Sequence, residues 1–263
     1  MKNIRKIAIK TAVAVLWLVL WQLVCVLVDM ELLVVSPLTV LRRLTELGRT
    51  ASFWQYAFYS LGRIIAGFAL GSVVGTLLAI GCSMWGFARA FFAPAITVIK
   101  STPVASFIIL ALVWLTGQYV PVFIAFLMVL PVVYANVSQG IAEVDGKLLE
   151  MAKVYRMSRR KKLLHIYIPS VLPYFMAACR TALGLAWKAG VAAEVIGVTR
   201  DSVGRQLYYA KIYLETADLF GWTAVVIIMS LLLEKGFMWG VERLSEIFHL
   251  TRRESHGALP ERD

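Results

Sequence analysis

Charge is what this chain has least of. Asp, Glu, Lys and Arg make up 16% of its 263 residues, where a soluble domain carries about 25%. Hydrophobic residues make up 60%, and the mean hydropathy is +0.75. This deficit argues against a globular enzyme and for a multi-spanning membrane protein. Alternating segments of barrel type are missing. Apolar stretches instead reach the roughly 20 residues that a spanning helix needs. Cysteine is scarce too: Cys25, Cys82 and Cys179 each sit inside an apolar run. They read as small hydrophobic residues, with neither metal-ligand spacing nor a disulfide framework. Histidine is limited to His165, His249 and His256, with the last two near a polar tail, so no metal site is expected. No Gly-x-x-x-x-Gly-Lys-Ser/Thr segment occurs, which excludes ATP binding of that type by this chain, and no cofactor is expected in it. Internal repeats, low-complexity linkers and a soluble domain are all lacking.

What is present is a series of apolar runs. The fold class expected is an all-α integral membrane protein with about six transmembrane helices, at 8–28, 60–84, 90–115, 120–137, 173–198 and 219–239. The basic start precedes a long apolar run without a small-residue cleavage site, so it reads as a retained first span. Ser36 and Pro37 form a cap and first helical position. Leu38, Leu41, Leu44 and Leu47 then recur opposite Arg42, Arg43, Glu46 and Arg49, as in an amphipathic helix at the interface. Gly67, Gly71 and Gly75 are spaced four apart in the second span, giving one smooth face for a close helix neighbour. In the third span, Pro103 after Lys100-Ser101-Thr102 predicts a kink or break.

The net charge of +11 does not indicate nucleic acid, because the charges flank the apolar runs. With the N-terminus cytoplasmic, seventeen Lys and Arg fall on the inner side and six on the outer. That asymmetry places both termini and the 140–172 loop in the cytoplasm. This loop is the longest polar stretch. Leu148, Leu149, Met151, Ala152 and Val154 mix with Glu150 and Lys153 on a short helix. A basic helix then runs from Arg159 to Ile168 and is expected to end at Pro169. A short helix between two supports suits a partner's groove. The run Arg159-Arg160-Lys161-Lys162 alone also fits anchoring to anionic lipid.

Four ionisable residues fall within or beside spans. Lys100 abuts the break in the third; Arg180, Lys188 and Glu194 lie in the fifth. Charges at such depth face protein or water. Arg180 and Glu194 are fourteen residues apart, roughly 21 Å along a helix, so each needs a partner elsewhere. Lys100, Lys188 and Glu194 are candidates for lining a translocation pathway; for Lys188 and Glu194 a structural ion pair is the alternative. The outer segment 199–218, with Arg200, Asp201, Arg205, Lys211, Glu215 and adjacent tyrosines, reads either as a docking surface or as a solvated connector.

Glu150-Met151-Ala152, then Ile168-Pro169 and Leu172-Pro173, resembles the EAA loop of ABC-importer permease subunits. That pattern is Glu-Ala-Ala, a short gap, Gly, a longer gap, an apolar residue and Leu-Pro. Leu61-Gly62-Arg63, Gly67-Phe68-Ala69-Leu70-Gly71, Ala186-Trp187 and Ala193-Glu194-Val195-Ile196-Gly197 agree with the nitrate/sulfonate/taurine-type branch. The resemblance implies a single permease domain over 1–263 with a type I importer-like fold. It implies that Glu150, Met151, Ala152, Lys153, Val154, Tyr155, Arg156, Met157 and Ser158 couple to a separate ABC ATPase subunit, with Pro169 and Pro173 supporting the loop. It further implies ATP and Mg on that partner, an extracytoplasmic solute-binding protein, a second copy of the chain and a bacterial plasma membrane. Met151 departs from the family alanine. Arg156 stands where the family has glycine, at a turn that can need a positive φ, which arginine adopts only at a cost. Rival classes are an ATP-independent secondary transporter or channel, which would carry inverted repeats or midplane acid clusters, and a membrane enzyme, which would need clustered His, Asp or Glu.

Overall fold

The computed structural model describes residues 2–28, 30 and 32–247; His249, His256 and the tail from Thr251 lie outside them. Eleven α-helices are formed among these residues, and no strand. In chain order they are α1 (Lys2–Val28), α2 (Pro37–Gly48), α3 (Ala51–Met84), α4 (Gly86–Ser101), α5 (Val104–Trp114), α6 (Val120–Ala142), α7 (Gly146–Val154), α8 (Arg159–Lys162), α9 (Ile168–Ile196), α10 (Val203–Ile212) and α11 (Thr216–Ile247). One π-helical turn, Leu163–Tyr167, joins α8 to α9.

Five of the helical runs are long and apolar enough to cross a membrane, and α4 with α5 forms a pair bent by 109° that counts as a sixth. The bend falls where Pro103 interrupts the backbone ladder. Thr102 N–H closes α4 on Val98 O, and α5 restarts with Pro103 as its cap. α3 begins at Ala51, nine residues before the expected start.

The expectation that the basic helix ends at Pro169 is corrected. The helical run continues from Arg159 to Ile196. Pro169 is the second residue of α9, inside that continuous run, and has no N–H to donate to the preceding turn. The mismatch with the preceding helix is absorbed upstream, where Ile168 N–H reaches back to Leu163 O in the π turn. Pro173 then lies inside α9.

α6 is the hub, and it packs most extensively against α3 and α9. Its face Ala125, Val129, Val133 and Val137 is buried with Ile64 and Ala79 of α3 and Ala178, Ala182, Ala186, Trp187 and Val191 of α9. The small residues are what permit this. A Cβ added at Gly71 would lie 2.7 Å from Val129 Cβ and 2.9 Å from Phe126 O; one at Gly75 would lie 2.9 Å from Leu130 O; one at Gly67 would strike Val122 O. Helices that touch backbone to backbone gain dispersion contacts that lipid cannot supply. α11 closes over α9, fixed by Trp187 Nε1 donating to Val226 O at 3.1 Å. α2 packs on α3 and α11. Its Leu44 and Leu47 join Trp222 and Val225 in a third cluster, while Arg43 pairs with Asp218 and Glu46. Leu38 and Leu41 stay exposed, so the apolar stripe of α2 is divided between the bundle and its surroundings.

Overpacking a tight seam costs about 1–3 kcal/mol. Gly71→Val is therefore expected to lower the thermal midpoint of the purified protein by several degrees. Gly62→Ala, whose new Cβ meets no atom within 4 Å, should leave it unchanged or raise it.

Candidate functional site

The segment between α6 and α9 is mostly helical rather than an open loop. Asp145 caps α7, its carboxylate accepting from Lys147 N at 2.8 Å. The other end closes with Met157 N–H donating to Ala152 O at 2.9 Å and Arg156 N–H to Lys153 O at 3.0 Å. These two bonds form a Schellman cap, which requires a left-handed residue between them. Arg156 supplies it, with φ 50°. The positive φ expected at the family glycine position is therefore present here, on a residue for which it costs about 1–2 kcal/mol. Ser158 caps the next helix, accepting from Lys161 N at 3.4 Å.

α7 is thus a short rod defined at both ends. Ala152 is fully buried, whereas Leu148, Met151, Val154 and Tyr155 are exposed, the last two at 79% and 75%. Glu150 and Lys153 flank this stripe and are exposed. Replacing the family alanine by Met151 enlarges the exposed stripe and leaves the buried contact at Ala152 intact. Pro169 and Pro173 sit in the first two turns of α9.

The ionisable residues in the spans separate into two groups. Lys100, at the end of α4, and Lys188, midway along α9, are exposed on the isolated chain. Glu194 is fully buried. Its Oε2 accepts from Ser60 Oγ at 2.7 Å and from Gly204 N at 3.2 Å, and Ser60 Oγ in turn accepts from Val203 N at 2.9 Å. Arg63 stands 3.8 Å from Glu194 Oε1 and donates to the carbonyls of Asp201 and Arg200 at 3.2 and 3.0 Å. Glu194 is thus held in a buried polar cluster with Arg63 in ion-pair range, its carboxylate against the first N–H groups of α10, where a negative charge is favoured. A Cβ at Gly204 would strike Glu194 Cβ, so only glycine lets α10 start this close to α9. Arg180 finds its partner on α11, with Nε 4.0 Å from Glu234 Oε1.

The segment 199–218 is helical over Val203–Ile212. α10 packs on α9 and α11, with Val203, Gly204 and Ala210 buried. Arg205 donates to Tyr209 OH at 3.0 Å and lies over its ring. Sequence reasoning missed Ser60 and Arg63 as members of the Glu194 cluster. Arg63 was visible as a charge inside an apolar run, yet its partners come from more than 130 residues away. Among the described residues, no group of three His, Cys, Asp or Glu could hold a metal ion.

Truncating Glu194 leaves a buried hydroxyl and a backbone N–H unpaired, at about 1–3 kcal/mol each. Glu194→Ala should lower the thermal midpoint by more than ten degrees and expose 199–215 to protease. Glu194→Gln, which keeps an acceptor, should lose less than half as much; equal losses would contradict the hydrogen-bonding role.

Comparison with known proteins agrees with this architecture. Residues 71–245 match the family model of the binding-protein-dependent transport system inner membrane component. The chain is 28% identical over 182 residues to the putative aliphatic sulfonates transport permease protein SsuC of Escherichia coli, covering 69% of each chain. To the taurine transport system permease protein TauC of the same organism it is 26% identical over 229 residues, 85% of this chain and 83% of that one. To the bicarbonate transport system permease protein CmpB of Synechococcus elongatus it is 28% identical over 145 residues, 55% of this chain and about half (52%) of that one. In fold it is similar to a crystal structure of an amino acid ABC transporter with histidines, at TM-score 0.63 and 18% identity over 76% of this chain and 97% of that one. A bundle of five apolar crossings and one bent pair, with a capped rod before the fifth crossing and this family match over two thirds of its length, belongs to the binding-protein-dependent transport system inner membrane components, the membrane-spanning permease subunits of ABC importers.

Proposed function

We propose that this chain forms half of a translocation pathway for a small oxyanion, as a homodimer driven by two separate ATPase subunits that carry ATP and Mg. A solute-binding protein delivers the substrate to the outer face, where α10 and the charges Arg200, Lys211 and Glu215 are presented. Both termini and α7 face the cytoplasm, in keeping with seventeen inner against six outer cations.

The observation that carries this reading is α7. A helix capped at both ends, with Leu148, Met151, Val154 and Tyr155 exposed and Ala152 buried among them, is stiff enough to move as a unit. It is joined through Ser158 to the single helical run 159–196. Glu150–Ser158 therefore acts as the coupling helix. A push from a closing ATPase pair passes up α9 and shifts the bundle between inward- and outward-facing states, as rigid-body gating requires.

The substrate class rests on two facts. Two of the relatives are named for aliphatic sulfonates and taurine, both of which carry a sulfonate group. Lys100 and Lys188 are exposed cations within membrane-level helices, a placement that demands water, protein or a passing anion. Glu194 is withdrawn from the pathway by its burial.

Glu150→Ala is the test. In membranes holding the cognate ATPase, the variant should retain ATP hydrolysis while losing at least tenfold in substrate uptake, or should co-purify with markedly less ATPase. Unchanged assembly together with unchanged uptake would remove α7 from the mechanism.

A further inference from the structure

A groove runs between α9 and α11 that the transport mechanism does not use. Its mouth, a cavity of about 430 Å³, is lined by Arg180, Leu231, Glu234, Lys235, Met238 and Trp239. Inward it narrows to about 140 Å³ between Leu183, Gly184, Trp187, Ser230 and Leu233. The charged mouth sits at a defined depth. Arg180 lies sixteen residues before the outer end of α9 at Ile196, and Glu234 eighteen residues after the outer start of α11 at Thr216. At 1.5 Å per residue both are about 24–27 Å below the outer boundary. A hydrocarbon core of about 30 Å puts their backbones about 3–6 Å inside the opposite boundary, from which long side chains reach the headgroups. Trp239 and Arg243 lie one and two turns further on, with the guanidinium 5.6 Å from the indole centroid, as befits an interfacial belt.

We infer that this groove is a binding site for one anionic phospholipid of the cytoplasmic leaflet. Its phosphate sits between Arg180 and Lys235, and an acyl chain enters the cleft beside Gly184. Charge complementarity supports this occupant. The mouth carries two cations against one carboxylate. Glu234 holds Arg180 only loosely, at 4.0 Å with both side chains more than half exposed, which leaves the guanidinium free to take a phosphate. Basic pockets between membrane helices on the cytoplasmic side suit such headgroups. The apolar shelf of Leu231, Met238 and Trp239 extends from the charges toward the hydrocarbon. A Cβ at Gly184 would meet no atom within 4 Å, so the cleft is open there. The leaflet rests on the orientation proposed above; the binding itself does not.

The test uses the purified full-length chain in detergent, where binding is independent of orientation. Native mass spectrometry counts retained phosphatidylglycerol against phosphatidylethanolamine. Wild type should hold one phosphatidylglycerol at least tenfold more tightly than phosphatidylethanolamine. Arg180→Gln with Lys235→Gln should abolish that preference. Gly184→Leu, whose Cβ meets no atom within 4 Å, projects into the cleft and should also release the lipid, with the charges intact and the thermal midpoint close to wild type. Free glycerol 3-phosphate should not compete at millimolar concentration. Equal retention in wild type and the double variant would overturn the site, as would tight lipid in Gly184→Leu. Competition by glycerol phosphate would make it a soluble-anion site, and burial of position 184 against a second copy would make it an interface; either outcome overturns the lipid assignment.

Discussion

The closeness of α3 to α6 is the constraint on which the rest of the bundle depends. In hydrocarbon there is no water to drive helices together, so association rests on contact distance. Gly67, Gly71 and Gly75 remove the side chains that would hold α3 away, and Ala125, Val129 and Val133 on α6 fill the space. With α6 locked to α3, the alanines of α9, namely Ala178, Ala182 and Ala186, pack into the same cluster. Three helices thus form a slab with little room for repacking. The α4–α5 pair, α1 and α11 are arranged around it.

The two ends of α9 differ in how firmly they are held. At the C-terminal end, Glu194 is bonded to Ser60 on α3 and to the start of α10, and Arg63 clasps the carbonyls of 200 and 201. Thr199 adds a bond to Gly117 O at 2.9 Å. At the N-terminal end, α9 continues back through a π turn into α8 and then to the short rod α7, whose Leu148, Met151 and Val154 are exposed. A lever works this way: one end is fixed in a buried polar network, the other is exposed and capped. Buried networks of this kind are costly when half satisfied, so the clamp either holds or fails as a unit.

Much of this was legible in the chain itself. Long apolar runs gave the crossings, Pro103 gave the break, and the glycine spacing gave the α3 face. The EAA-like residues pointed to the rod, and the glycine position within that pattern foretold the left-handed turn that Arg156 adopts. Other features were hidden for physical reasons. α10 is short and polar, and is stabilised by packing on α9 and α11 rather than by its own pattern. Pro169 looked like a terminator, because sequence alone does not distinguish a proline that ends a helix from one inside a continuous run. The Glu194 cluster joins residues from α3, α9 and the start of α10, so no local window contains it.

The central claim is that α7 bears on a nucleotide-driven neighbour in the cytoplasm. The most direct measurement is disulfide trapping from a cysteine placed at Val154, which is 79% exposed, in vesicles containing the partner ATPase with single cysteines along its cleft. The account predicts a cross-link to the ATPase whose yield changes when ATP is added, and reaction of that cysteine with impermeant thiol reagents only from the cytoplasmic side. Labelling from outside the cell, or no cross-link in an assembled and active transporter, would contradict it.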